Sequence, residues 1–296
     1  MILSASRRTD IPAFYADWFI DKIKQGFVLV PDPLGLREKV ARIKIEPVRV
    51  ETNLLGGKTV TGNVDGIVFW TKNPRPLMDK LGELKDFKYY FLYTLNPYNE
   101  TIEATVPPIQ ERIKTFQELS KTIGADYVIW RYDPILLTST ITPNWHFGQF
   151  ETLARQLRGF TRVCKVSFLI GGDKNLRTPN TNEKHEILKR FAEIAHENEI
   201  ELHACAEEID FSKYGIKQSK CIDADLFEKL TGGKINTRQS GATRKHCGCM
   251  PCVDIGVYNT CKHGCVYCYA NGFYAPRKQG KGGEIYDRKT ERVFKY

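Results

Sequence analysis

Six of the nine cysteines fall between residues 247 and 268, in the runs Cys247-Gly-Cys249-Met-Pro-Cys252 and Cys261-Lys-His263-Gly-Cys265-Val-Tyr267-Cys268. Thiolate sulfur is a soft donor that suits zinc and iron–sulfur clusters. Cys261, Cys265 and Cys268 have the spacing C-x3-C-x2-C, which puts three such donors on one short loop. Three readings of that loop compete. Zinc takes four tetrahedral ligands, and His263 or Cys252 could complete the set. A closed 4Fe–4S cluster takes four cysteines, and an upstream cysteine could supply the fourth. An open cubane needs only the three and leaves one iron free, which means chemistry rather than electron storage. Cys205, Cys221, Cys247 and Cys249, with Cys252 in reserve, form a second group. An auxiliary iron–sulfur cluster is expected there, with structural zinc or plain buried thiols as the alternatives. Cys164 lies in an apolar run and is expected in the core.

The elements that must position these residues alternate. Ile2–Ser6, Gly66–Trp70, Tyr89–Tyr93, Tyr127–Trp130, Val163–Ile170 and Ile200–Ala204 read as six strands. Residues 13–25, 109–122, 145–158 and 183–198 read as helices between them, with a short one from Pro76. Val253–Tyr258 is one more strand candidate and leads straight into the cysteine loop. Strands alternating with helices predict parallel βαβ units, open or closed into a barrel. Nearly every strand ends in polar residues: Arg7 to Asp10, Thr71-Lys72-Asn73, Thr94, Arg131 with Asp133, Ser167, and Glu207-Glu208. Such residues often cap loops and helix starts. Six consecutive polar strand ends, with arginines and carboxylates among them, instead predict an active-site face, because α/β folds place their sites at the carboxyl ends of the strands.

Composition sets the limits. At 296 residues and 42% hydrophobic content, the chain can bury a substantial core. Its apolar runs are too short to span a bilayer. The start lacks the layout of a signal peptide, so a cytoplasmic location with no membrane partner is the expectation. In a reducing compartment, clustered cysteines bind metal more often than they pair. A net charge of +9 is compatible with nucleic acid. Three segments are expected: 1–210 as the (β/α) core, 211–252 as an irregular cysteine-bearing stretch, and 253–296 as the last strand, cysteine loop and a basic tail.

Tyr258-Asn-Thr-Cys-Lys-His-Gly-Cys-Val-Tyr-Cys-Tyr-Ala-Asn271 resembles the cluster loop of radical S-adenosylmethionine (SAM) enzymes of the spore photoproduct lyase type. In that superfamily the loop comes after the first barrel strand, whereas here it stands near the end. Ser6-Arg-Arg-Thr-Asp-Ile-Pro12, Trp70-Thr-Lys-Asn-Pro74 and the segment from Thr94 through Glu103 to Arg112 are similar to segments downstream of the loop in that superfamily. The resemblance therefore implies a circular permutation of a partial, TIM-like (β/α) barrel of about six to seven parallel strands. The last strand would dock beside the first.

Along nearly its whole length the chain also resembles the bacterial family catalogued as domain of unknown function 1848, through S-R-R-T-D, F-W-T-K-N-P, W-R-Y-D-P, C-A-E-E and the terminal cysteine loop. The radical SAM resemblance implies that Cys261, Cys265 and Cys268 ligate a 4Fe–4S cluster and that SAM binds its open iron. It also implies a flavodoxin- or ferredoxin-type electron donor. Tyr267 takes the place of an adenine contact. No G-G-E-P-like segment comes after the loop, so Ser4, Ser6, Arg7, Thr9 and Asp10 are the candidates for holding SAM. Lys72, Thr94, Arg131, Asp133, Ser167, Glu207 and Glu208 would bind SAM or substrate. The lyase resemblance and the charge suggest a nucleic-acid base or nucleotide as substrate. The rival reading is a non-catalytic zinc- or cluster-bearing nucleic-acid-binding protein.

Overall fold

The computed structural model describes residues 1–31, 40–52, 58–171, 175–205, 207, 209–233, 247–271, 285–287 and 292–294. Glu208 and most of the basic tail lie outside these residues. The described residues form a mixed α/β fold on a large parallel sheet of eight strands.

The chain opens with β1 (Ile2–Ala5), whose four residues are all buried. Asp10 then caps α1 (Ile11–Phe14), its Oδ1 accepting from the Ala13 amide at 3.0 Å. Pro12 in the first turn needs no amide partner there. Tyr15 departs from helical geometry, so the helix expected over 13–25 is divided. The second part, α2 (Ala16–Gln25), ends on Gly26 in the left-handed region at φ 73°.

Two antiparallel hairpins come next, β2 (Phe27–Pro31) with β3 (Val40–Lys44) and β4 (Arg49–Thr52) with β5 (Lys58–Thr61). Then come β6 (Gly66–Thr71), α3 (Arg75–Met78), β7 (Tyr89–Thr94), α4 (Ile109–Ile123), β8 (Val128–Ile135), α5 (Pro143–Leu157), β9 (Val163–Phe168), α6 (Thr181–Glu197) and β10 (Glu201–Ala204). The stretch read as irregular, 211–252, holds β11 (Lys217–Gln218) and α7 (Ala224–Thr231). Last come β12 (Cys252–Asp254) and the antiparallel pair β13 (Ile285–Asp287) and β14 (Arg292–Phe294).

The chain forms two compact units. The first comprises Met1–Tyr89, Asp225–Asn236 and Cys252–Tyr296. Its parallel strands run in the order β6-β1-β12, so the strand expected before the cysteine loop does lie beside the first, with Ile2 opposite Cys252 and Ser4 opposite Asp254. A Cβ on Gly66, at the start of β6, would stand 2.0 Å from the ring of buried Phe227, so a bare backbone there admits that ring.

The second unit comprises Tyr90–Ala224 and Thr237–Pro251, with strand order β11-β10-β9-β8-β7. Strand β8 runs past its expected end at Trp130, with a register shift between Tyr132 and Ile135. That shift accommodates Pro134, which has no amide to give the ladder. The unit's core is aromatic. Trp130 stacks on Phe150 at 4.8 Å, Phe150 on Phe191 at 3.8 Å, and Tyr132 meets both edge-on.

His146 sits fully buried against this cluster. Its Nε2 lies 2.8 Å from the Leu136 carbonyl, which can only accept, so Nε2 carries the proton. Nδ1 then accepts from the Tyr132 hydroxyl at 2.7 Å. Burial holds the imidazole neutral, and its pKa falls from 6.5 to about 4. The unfolded chain thus binds one more proton than the folded chain between those values. Stability is expected to fall as pH drops through that window, by up to about 1.4 kcal/mol per pH unit. Urea unfolding at pH 7, 6 and 5 measures the slope, and His146→Gln should remove this contribution; an unchanged slope in the variant contradicts the assignment.

Candidate metal centre

At the carboxyl end of β12, the Asp254 carboxylate is almost wholly buried. An ion in that position needs donors on both oxygens. Oδ2 accepts from Ser4 Oγ at 2.9 Å and the Arg7 amide at 2.8 Å, and Oδ1 from Ser6 Oγ at 2.5 Å and the Gly256 amide at 3.0 Å. The Arg7 and Arg8 guanidinium groups stand 3.8 and 3.9 Å away. Trp70 Nε1 donates to Ser4 Oγ at 3.1 Å. Three of the expected SAM-binding residues, Ser4, Ser6 and Arg7, are therefore gathered on one carboxylate. Cys252, held in reserve for the second cysteine group, instead accepts from Arg7 Nη2 at 3.2 Å in the first unit.

The cysteine loop beyond β12 closes on itself. The Asn259 amide donates to the Ala270 carbonyl at 2.9 Å, and Asn271 Nδ2 to the Cys261 carbonyl at 3.0 Å. Inside it, the Cys268 amide donates to the Cys265 carbonyl at 3.1 Å. Three side-chain contacts pin the loop to the start of the chain. Tyr15 donates its hydroxyl to the Thr260 carbonyl, Tyr269 donates to the Arg7 carbonyl at 2.9 Å, and His263 Nε2 lies 2.8 Å from Asp10 Oδ2. That Asp10 oxygen also accepts from the Lys72 amide at 2.7 Å. Asp10 is thus a helix cap and an anchor for the loop at once. Thr9 beside it is buried. Lys72 Nζ stands 5.6 Å above the Tyr267 ring, a cation–π contact.

Cys265 is buried, and Cys261 and Cys268 are half-buried. Burial pushes the Cys261 thiol up to about 12, and the nearby Asp10 carboxylate pushes the same way. A thiolate there needs a cation beside it. His263 Nδ1 and Asn271 Oδ1, both on this loop, are buried with no hydrogen-bond partner. Leaving a polar atom so costs about 1–3 kcal/mol, and an unpaired one asks for a missing ion or group. The donor set and these two atoms fit a metal group held by the loop, with His263 committed to Asp10 through its other nitrogen. Among the described residues, no three His, Cys, Asp or Glu side chains converge on one ion-holding position.

In the second unit the expected polar strand ends join into networks. Arg131 Nη1 donates to Thr94 Oγ1 at 3.3 Å, its Nη2 pairs with Asp133 Oδ2, and Ser167 Oγ donates to Asp133 Oδ1 at 2.5 Å. Glu207 accepts from Lys184 Nζ at 2.8 Å and from the Phe168 amide at 3.4 Å. Asn96 braces the network, accepting from the Asp133 amide at 2.9 Å and donating to its carbonyl at 2.9 Å. In this unit the Cys205 and Cys221 sulfurs stand 4.0 Å apart, and the Cys221 amide donates to Cys249 Sγ at 3.2 Å. Cys164 is fully buried in β9, as expected, and burial holds its thiol well up.

Sequence reading missed Asp254, His263 as the partner of Asp10, Asn96 and Lys184. Only Asp254 left a local signal, an acidic residue closing an apolar run directly before the loop.

The fold and the loop define a mixed α/β protein whose C-terminal cysteine loop is fastened to its N-terminal strand and first helix. The family model described as Domain of unknown function (DUF1848) matches residues 2–270, and the chain belongs to that family. No curated protein matches it in sequence. Among solved structures, a provisionally assigned alpha-L-fucosidase from Bacteroides thetaiotaomicron VPI-5482 aligns at 12% identity over 58% of this chain and 74% of that one. Its TM-score of 0.25 is too low to carry an argument.

A Cβ on Gly256 would stand 2.0 Å from Ser6 Oγ and 3.1 Å from Thr9 Cγ2. Gly256→Ala must therefore push Ser6 off Asp254, and a loss of about 1–3 kcal/mol in denaturant unfolding is expected. Gly148→Ala, which meets open space on α5, should be neutral or stabilise by up to about 1 kcal/mol. Equal effects at the two positions would contradict this packing.

Proposed function

We propose that the chain is a radical SAM enzyme on a circularly permuted, partial (β/α) barrel. One observation carries the reading: β12 runs parallel beside β1 and leads into a closed C-x3-C-x2-C loop, anchored by Asp10, Tyr15 and Arg7. Cys261, Cys265 and Cys268 would hold a 4Fe–4S cluster through three thiolates and leave one iron for SAM. When bound, the cluster would supply one electron to the S–C5′ bond of SAM, and that cleavage would release methionine and a 5′-deoxyadenosyl radical able to take a hydrogen atom from substrate. The chain's own residues bind, orient and exclude water. Tyr267 offers a half-buried aromatic face for adenine. Arg7, partly exposed and held by Asp254 at its amide, can turn its guanidinium to a carboxylate. Ser4, Ser6, Thr9 and Asp10 shape the wall behind it.

Lys72, Thr94, Arg131, Asp133, Ser167 and Glu207 are the proposed substrate-binding residues. Arg131 and Asp133 form a polar pair suited to hydrogen-bonding a planar, charged substrate. The net charge of +9 and the lyase resemblance make a nucleic-acid base or nucleotide the substrate class to test first. A cytoplasmic location and a flavodoxin- or ferredoxin-type donor go with this reading. No helix among the described residues is long and apolar enough to cross a membrane.

Anaerobic reconstitution with iron and sulfide should give a brown protein that forms 5′-deoxyadenosine from SAM under reductant. Cys265→Ala should reduce that product to background, while Cys164→Ser should leave it unchanged. Product formation by Cys265→Ala, or a colourless protein that takes up only zinc, would sink the proposal. Deuterium transfer from labelled nucleotide or oligonucleotide into 5′-deoxyadenosine tests the substrate class.

A further inference from the structure

Strand β11 is two residues long, and both are exposed. Its pairing with β10 places Ala204 opposite Gln218, and the Ser219 amide extends the ladder to the Ala204 carbonyl at 2.8 Å. So short a strand at the end of a sheet has few ladder bonds and little buried surface to keep it there. Just past the two strand ends, inside the second unit, Cys205 and Cys221 bring their sulfurs to 4.0 Å. Both are free thiols, and both are buried.

The two backbones are held by separate sets of partners. The Cys205 amide donates to the Val166 carbonyl at 2.9 Å, which continues the ladder between β9 and β10. On the other side, Tyr90 donates its hydroxyl to the Cys221 carbonyl at 2.6 Å and accepts from the Asp223 amide at 3.0 Å. The Cys221 amide donates to Cys249 Sγ at 3.2 Å, and Lys165 Nζ to the Lys220 carbonyl at 2.5 Å. Tyr90 and Lys165 are themselves buried. The facing of the two sulfurs is therefore a product of fixed main chain. A disulfide holds its sulfurs about 2.05 Å apart, so turning the two side chains about their Cα–Cβ bonds has to close about 2 Å. Cys164, the other buried cysteine of this unit's strands, has Trp130 and Leu202 as its neighbours in the sheet.

We propose that Cys205 and Cys221 are a redox pair, which a hydroperoxide converts to a disulfide and a thiol reductant restores. With hydrogen peroxide, one thiolate attacks a peroxide oxygen; the S–O bond forms, the O–O bond breaks and one water leaves, giving a sulfenic acid. The second thiolate attacks that sulfur; the S–S bond forms, the S–O bond breaks, and the departing hydroxide takes up a proton as the second water. Two sulfurs together give up two electrons, and one peroxide accepts them. A small oxidant suits a buried pair. Two equivalents of a thiol reverse the bond by exchange and are themselves oxidised to a disulfide. The bond ties the end of β10 to the residues after β11, 16 positions apart, and so secures the short strand that its ladder holds weakly. This pair is independent of the radical SAM reading.

The test uses full-length protein purified under reducing conditions, treated with a small molar excess of hydrogen peroxide and then alkylated in denaturant. Peptide mapping should find one cross-linked peptide joining Cys205 to Cys221, lighter than the sum of its parts by two hydrogens. Both thiols should alkylate again after dithiothreitol, and Cys164 should alkylate throughout. Oxidised wild type should unfold at a higher temperature than reduced, and Cys205→Ser should lose that shift. Cys205 and Cys221 both left alkylatable by peroxide, either one joined to Cys247 or Cys249 instead, a bond that dithiothreitol does not reverse, or equal melting of the two forms would each overturn the pair. The map is read on the wild type, so it decides the matter even where the serine variant fails to fold. Cys265→Ala should keep the cross-link, which separates this proposal from the fate of the enzyme reading.

Discussion

A buried carboxylate must be matched by donors where it stands, and Asp254 is matched by residues 246 to 250 positions earlier in the chain. Its two oxygens take up Ser4, Ser6 and the amides of Arg7 and Gly256, and both arginines stand near it. Removing the charge from water is expensive, and only this combination of donors offsets the cost. The ladder between β1 and β12 spans only three residue pairs, so Asp254 supplies much of what holds the late strand to the early one. The geometry of the cysteine loop depends on that junction.

Beyond the junction, the loop is positioned by hydrogen bonds to its main chain and to His263. Thr260 and Asn259 serve as fastening points, Tyr269 reaches back to Arg7, and His263 is turned toward Asp10. In the second cysteine group, the Cys205 and Cys221 sulfurs stand 4.0 Å apart beyond the ends of β10 and β11, and the Cys221 amide donates to Cys249 Sγ at 3.2 Å.

The polar ends of β7, β8 and β9 obey the same economy. Arg131, Asp133, Thr94 and Ser167 satisfy one another, and Asn96 clamps the Asp133 main chain. The register shift around Pro134 falls within this network, so the irregular end of β8 aims Asp133 rather than weakening the sheet. Family membership covers residues 2–270 and says nothing about reaction; the functional reading comes from the loop and its anchors.

Much of the fold was legible from local pattern. The helices at 109–123, 143–157 and 181–197 lie within a few residues of their expected spans, because apolar spacing and end signals such as Thr142, Asn180 and Glu183 are local properties. The C-x3-C-x2-C spacing and the polar strand ends were visible in the same way. The hairpins between Phe27 and Thr61 were not, since the largely exposed β3 carries little hydrophobic period and buried Phe27 and Val28 are too short a run to mark a strand pair. The break at Tyr15, the joining of Asp10 to His263 and the diversion of Cys252 to Arg7 also depended on distant partners. Sequence by itself determined which residues could do chemistry and which segments would be strand or helix. Tertiary structure alone decided which cysteine keeps company with which, because that results from pairing between segments far apart in the chain.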